Sequence, residues 1–109
     1  MDMEINRFDV FLVSFDPSVG SEIKKSRPAV IISPDEMNRH LKTVIVAPLT
    51  STIKKYPSRV EVNFEKVQGE IALDQIRTID KTRLIKRLAK IDERITERIC
   101  EILTRMFSR

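Results

Sequence analysis

Cysteine, histidine, tryptophan and glycine are nearly missing from this 109-residue chain, which has one Cys, one His, no Trp and two Gly. A lone cysteine cannot close an internal disulfide, and Cys100 falls beside the apolar face of a predicted helix. One His with one Cys cannot assemble a His/Cys zinc centre. A ribonuclease mechanism built on two histidines is excluded within one chain for the same reason. His40 follows Asn38-Arg39 in a polar stretch and reads as a solvated surface residue. Apolar runs are short: Ala29–Ile32 and Val44–Leu49 fall well below the ~20 residues that a membrane-spanning helix needs. The opening Met-Asp-Met-Glu carries neither the basic n-region nor the apolar h-region of a secretory signal, so a cytoplasmic location is expected. Aromatics are sparse too, at five Phe and one Tyr, which argues against an extended stacking platform for single strands.

What remains is ordinary for one globular domain. Hydrophobic residues make up 41% and charged residues 33%, and 20 Lys+Arg against 16 Asp+Glu leave a formal charge of +4. This balance argues against intrinsic disorder, and the length suits a single domain over residues 1–109. A charge of +4 alone does not define a nucleic-acid-binding protein.

Along the chain, Phe8–Phe15 reads as a strand, and Asp16–Arg27 as a long polar loop with Asp16-Pro17 and Gly20-Ser21 as turn signals. Pro28–Ile32 is a second, buried strand. Ser33-Pro34-Asp35-Glu36 predicts a helix start, with serine as N-cap and glutamate closing a capping box. Thr43–Pro48 is a third strand, followed by a polar loop over Leu49–Ser58. Arg59-Val60-Glu61-Val62 alternates as a strand with one wet face. Gly69–Asp80 reads as one or two strands, and Leu84–Ile91 as a short strand or helical turn. Asp92 caps a helix whose apolar face is Ile95, Ile99, Ile102, Leu103, Met106 and Phe107, with Glu101 and Arg105 paired on its wet side. The fold expected is mostly β with α: a small, mostly antiparallel barrel or curled sheet with helices packed on it.

Three polar stretches can carry chemistry, and each has a plainer reading. Asp16–Arg27 holds Glu22, Lys24, Lys25 and Arg27, and is either a functional loop or a solvated basic one. Thr50-Ser51-Thr52 could hydrogen-bond a phosphate or merely satisfy backbone in a turn. In Asp74–Asp80, extended geometry would put Asp74, Ile76 and Thr78 on one face and Gln75, Arg77 and Ile79 on the other. A carboxylate, an amide and a guanidinium so close could read a base edge or phosphate, or simply pair across strands. Lys81–Lys90 adds a basic run without an acid, suited to phosphate attraction or to solubility. The residues alone leave an anion- or RNA-binding barrel open, not settled.

Several blocks resemble the MazF/PemK-type toxins of toxin–antitoxin systems. They are Asp9-Val10-Phe11-Leu12-Val13 leading to Asp16-Pro17, Gly20-Ser21-Glu22, Arg27-Pro28-Ala29-Val30, Val46-Ala47-Pro48-Leu49-Thr50-Ser51, Pro57-Ser58-Arg59-Val60 and Asp74-Gln75-Ile76-Arg77-Thr78-Ile79-Asp80-Lys81. The resemblance spans roughly Arg7 to Leu84 in the family's order. It implies a small SH3-like, partly open antiparallel barrel with a C-terminal helix, paired as a homodimer. It also implies cofactor-free, metal-independent, sequence-specific cleavage of single-stranded RNA, leaving a 2′,3′-cyclic phosphate and a 5′-hydroxyl.

Residues matching Arg27 and Thr50 are the ones implicated in much of that family. The guanidinium suits charge stabilisation at phosphorus, and the hydroxyl can donate to a phosphoryl oxygen. Glu22 and Asp74 are the carboxylates in the matched blocks that could accept a proton. Ser21, Lys24, Lys25, Ser51, Lys54, Lys55, Gln75 and Arg77 complete the expected RNA-binding set. Some relatives have histidine where this chain has Ser21 and arginine where it has Ala72, so an acid–base scheme on those two does not transfer. Phe8 and Lys25 stand where glycine is common. The resemblance further implies a cognate antitoxin, whose acidic flexible tail could cover the loops at Lys24–Arg27 and Lys54–Arg59. Two other functions compete: a gyrase-poison-like toxin of similar fold, and a plain RNA-binding barrel. Against the first, the terminus Arg105-Met106-Phe107-Ser108-Arg109 lacks a Trp-Gly-Ile ending.

Overall fold

Seven antiparallel strands run in the order β4-β5-β3-β2-β1-β7, with β6 joined to β3 off that path, in a computed structural model that describes residues 4–15 and 26–109. The strands are β1 (Asp9–Ser14), β2 (Ser26–Ile31), β3 (Thr43–Thr50), β4 (Arg59–Phe64), β5 (Val67–Ala72), β6 (Arg77–Asp80) and β7 (Leu84–Lys90). Helix α1 (Asp35–His40) links β2 to β3, and α2 (Glu93–Met106) ends the chain.

Strand β3 forks the sheet. Thr43–Val46 pair with β6, whereas Leu49 and Thr50 pair with Ile71 and Glu70 of β5. Pro48 falls in the gap between the two partners, where a residue without an N–H is tolerated. The divergence curls the sheet into a half-barrel. On one face Val10, Val30, Ala47, Leu49, Val60 and Ile71 pack against Ile99 and Ile102 of α2. On the other, Phe11, Val13, Ala29, Ile31, Val46 and Leu84 form a second cluster. Burial of both faces explains why β1 and β2 read as continuous apolar runs, whereas β4 alternates because one of its faces is wet.

Most strand boundaries match expectation, with informative departures. β3 extends through Thr50, so Leu49 and Thr50 belong to a strand and not to the following loop. The capping box at α1 does not form: Pro34 is the N-cap, without a side-chain cap bond. Ser33 instead donates to Asn38 Oδ1 at 2.6 Å and accepts from the Ile45 N–H at 3.0 Å, a buried network tying α1 to β3. Leu73–Gln75 form one 3₁₀ turn, which breaks the alternation expected from Asp74 to Asp80. In α2 the Asp92 cap holds, accepting from the Ile95 N–H at 3.0 Å. Expected on the buried face, Met106 (the last residue of α2) and Phe107 (its C-cap) are exposed.

Phe8 has φ 71, in the left-handed region that favours glycine. Two backbone bonds impose it: Phe8 N–H donates to Ile31 at 2.7 Å, and Ile91 N–H donates to the Phe8 carbonyl at 3.0 Å. Its ring packs on the α2-facing core, under the Arg7 guanidinium at 4.8 Å. Both Phe8→Gly and Phe8→Ala lose the ring, but only alanine keeps the backbone strain. Urea unfolding should therefore find Phe8→Gly more stable than Phe8→Ala by about 1 kcal/mol. The reverse order would contradict the strain.

Candidate functional site

Strands β2 and β3 bring the two strongest candidates together. Their register pairs Ala29 with Pro48. Arg27 and Thr50 each lie two residues beyond that pair, at the adjoining ends of the two antiparallel strands. The two residues line one open cleft of about 690 Å³, whose opposite wall is the β4–β5 hairpin with Val62, Phe64, Glu65 and Gly69. Ser51 and Thr52 line it as well.

The hydroxyl of Thr50 accepts a hydrogen bond from the Thr52 N–H at 3.1 Å. This is the backbone-satisfying turn that the residue type favours. It occupies a lone pair and leaves the hydroxyl proton available to donate, and an accepting hydroxyl is a better donor. Arg27 is half-buried in β2, with Val13 opposite it in β1. A guanidinium fork and hydroxyls on one wall can grip a tetrahedral anion from two sides.

Other expected residues lie elsewhere. Asp74 does not line the cleft. Its carboxylate accepts from Arg59 Nε at 2.7 Å and from the Ser58 hydroxyl at 2.9 Å. The Arg59 hydrogen bond leads in holding the Asp74 carboxyl below the usual range, which makes it a poor proton acceptor near neutrality. Gln75 is exposed on the 3₁₀ turn, and Arg77 lies over the Phe15 ring at 5.3 Å, in β6 opposite Val46. Lys54 and Lys55 are exposed on the β3–β4 loop. Ser21, Glu22, Lys24 and Lys25 lie outside the described residues. Within the basic run, Lys81 donates to the Asn38 carbonyl, Arg83 to that of Ser14, and Arg87 pairs with Asp9 at 3.3 Å, so three of its five cations serve the fold.

Two features were missed by reading residues in order. Glu65 is a carboxylate on the cleft wall, at the hairpin tip, where Glu65 and Lys66 take φ 51 and 66. Such a turn is normally marked by Asn-Gly, and this one carries neither residue. The second is a buried ionic network. Glu70 is fully buried and binds Arg59 Nη1 at 3.1 Å, and it accepts from the Lys54 and Lys55 N–H groups at 3.0 Å each. No spacing rule connects residues 54, 59, 70 and 74; the curl of the sheet does.

Burial opposes ionisation of Glu70, yet the Lys54 and Lys55 N–H groups and Arg59 outweigh it, and its pKa lies below the ordinary value. Both folded carboxylates titrate below their unfolded counterparts, so their contribution is present above the unfolded pKa of about 4 and disappears as pH falls through the folded values. Melting temperature should hold steady down to about pH 5 and then fall steeply, and Glu70→Gln should flatten that fall. An unchanged acid limb in the variant would refute the assignment.

A curled antiparallel half-barrel whose cleft offers a guanidinium and hydroxyls defines a small β-protein built to receive an anion. The family model for the PemK-like, MazF-like toxin of type II toxin–antitoxin systems matches residues 6–107. The chain is 37% identical over 107 residues to endoribonuclease EndoA of Bacillus subtilis (strain 168), covering 93% of this chain and 92% of the relative. It is 42% identical over 95 residues to endoribonuclease MazF of Staphylococcus epidermidis, covering 82% and 79%. The solved structure of MazE-MazF from Deinococcus radiodurans superposes with a TM-score of 0.84 at 25% identity, covering 96% of each chain. The chain belongs to the PemK-like, MazF-like family of toxins of type II toxin–antitoxin systems. Among the described residues no helix is long and apolar enough to cross a membrane.

Proposed function

We propose that this toxin, as one domain over residues 1–109, is an endoribonuclease that cuts single-stranded RNA without a metal, in the cytoplasm. The observation that carries the reading is the convergence of Arg27 and Thr50 in one cleft. In the reaction the RNA 2′-hydroxyl loses its proton and attacks the adjacent phosphorus. The bond to the 5′-oxygen breaks, leaving a 2′,3′-cyclic phosphate and, once that oxygen gains a proton, a 5′-hydroxyl. Arg27 offsets charge growing on the phosphoryl oxygens, and Thr50 donates to one of them. A guanidinium keeps its proton and cannot serve as base.

Proton acceptance falls to a carboxylate. Glu22, in the sequence block preceding Arg27, is one candidate, and Glu65 on the cleft wall is the other. Asp74, engaged by Arg59 and Ser58, braces the β3–β4 loop instead. Ser51, Ser21 and the lysines at 24, 25, 54 and 55 bind flanking phosphates, while Gln75 and Arg77 extend the contact surface beyond the cleft. The toxin acts as a homodimer and is silenced by a cognate antitoxin with an acidic flexible tail; the similar structure from Deinococcus radiodurans is one of MazE-MazF.

The test is incubation of the purified protein with a single-stranded RNA in EDTA. Fragments ending in a cyclic phosphate and beginning with a 5′-hydroxyl, at a short common motif, are expected. Tight RNA binding with no product would instead select a plain RNA-binding barrel. Glu22→Gln and Glu65→Gln then separate the proton acceptors: the true one loses rate and the acid-side limb of the pH profile, where rate rises as the carboxylate deprotonates.

A further inference from the structure

The chain has two glycines, and one of them, Gly69, sits in β5 against the strand that ends in Thr50. A Cβ added there would meet the Thr50 carbonyl oxygen at 2.6 Å, the Thr50 carbonyl carbon at 3.4 Å and Ser51 Cα at 3.8 Å. The obstacle is the backbone of a neighbouring strand, so no rotamer change relieves it. Pairing of β3 with β5 covers only Leu49 with Ile71 and Thr50 with Glu70. Gly69 therefore stands where the strands begin to part and the Thr50–Ser51 peptide lies directly over it.

Both ends of that peptide are otherwise held. Thr50 accepts from the Thr52 N–H through its hydroxyl, and Glu70 clamps the Lys54 and Lys55 N–H groups a few residues further on. A displacement forced at the Thr50 carbonyl cannot spread into a slack loop. It must tilt the Thr50 side chain within the cleft that Gly69 also lines.

The geometry points to Gly69 as a positioning residue for Thr50: its missing side chain lets the Thr50 carbonyl settle against β5, and the Thr52 N–H then fixes where the Thr50 hydroxyl aims. The inference rests on the catalytic reading of Thr50 given above. Its signature is an effect on turnover that exists only while the Thr50 hydroxyl is present. A residue needed merely for folding would lower activity with or without that hydroxyl.

The experiment is a double-mutant cycle of Gly69→Ala with Thr50→Ala, read as kcat and KM on a cleavable RNA oligonucleotide. Affinity for the same oligonucleotide with 2′-O-methyl groups, which cannot be cleaved, is measured in parallel. Gly69→Ala should lower kcat about 10- to 100-fold, since misplacement of a reacting group by about 1 Å has that effect. Affinity for the methylated RNA should stay within about twofold, and the double variant should be no slower than Thr50→Ala alone. Additive losses in the double variant, or wild-type turnover in Gly69→Ala, would overturn the assignment. Wild-type turnover in Thr50→Ala would instead remove the catalytic reading of Thr50 and the positioning role with it. If Gly69→Ala gives no cooperative melt, Thr52→Pro replaces it, deleting the N–H donor while leaving Gly69 in place. Its loss of kcat should likewise vanish on the Thr50→Ala background, and persistence of that loss would refute the proposal.

Discussion

Arg27→Ala is expected to lower RNA cleavage by about 10²–10³-fold, the usual cost of deleting one donor to a developing oxyanion. The loss should fall mainly on kcat, because charge on the phosphoryl oxygens grows most in the transition state. Arg27→Lys should recover only part of it: an ammonium keeps the charge but not the planar fork that matches two oxygens. Arg27 is half-buried at the open end of β2, so the change in folding stability should stay within about 1 kcal/mol. Product formation followed on a single-site oligonucleotide, together with a melt, separates the two quantities. Equal cleavage by Arg27→Ala and wild type would place the chemistry outside this cleft, or trace it to a contaminating nuclease.

Glu70→Ala is expected to be the most damaging substitution for stability among those considered. The fully buried carboxylate satisfies Arg59, whose side chain is 5% exposed, and two backbone N–H groups of the β3–β4 loop. Removing one partner of a buried ion pair typically costs about 3–5 kcal/mol, because the remaining charge is left without compensation. In a domain of this size such a loss lowers the melting temperature by at least about 10 °C. Replacing the pair together, as Arg59→Met with Glu70→Leu, should regain much of that loss, since no buried charge is then stranded. The loop would still lack its acceptor, so the double variant should keep a more protease-sensitive segment around Lys54–Lys55. A fall of under about 3 °C in Glu70→Ala would mean that Asp74 and solvent satisfy Arg59 unaided.

Much of the architecture was legible in the order of residues, because its causes are local. Period-two alternation over Arg59–Val62 and the apolar runs in β1, β2 and β3 identified strands. Asp92 and the 3.6-residue spacing of Ile95, Ile99 and Ile102 identified α2. Local rules failed where tertiary partners outbid them. Ser33 abandoned the helix cap for Asn38 and β3, and Asp74 left the expected strand alternation for a 3₁₀ turn and Arg59. Phe8 took a glycine-like backbone that nothing in its own chemistry favours, imposed by bonds to Ile31 and Ile91.

The scarcity of His and Cys by itself narrowed the chemical vocabulary: RNA cleavage by this chain would rest on guanidinium, hydroxyl and carboxylate groups. The sequence likewise marked Arg27 and Thr50 as candidates, through motif resemblance. Only the tertiary structure decided that they share a cleft, since antiparallel pairing of β2 with β3 brings the ends that carry them together. It also separated the carboxylates by environment, setting Asp74 and Glu70 into ion pairs and Glu65 on the cleft wall. Residue types are carried by the chain one at a time, whereas a carboxylate's role depends on burial and on neighbours distant in sequence. The curl of the sheet supplies those neighbours.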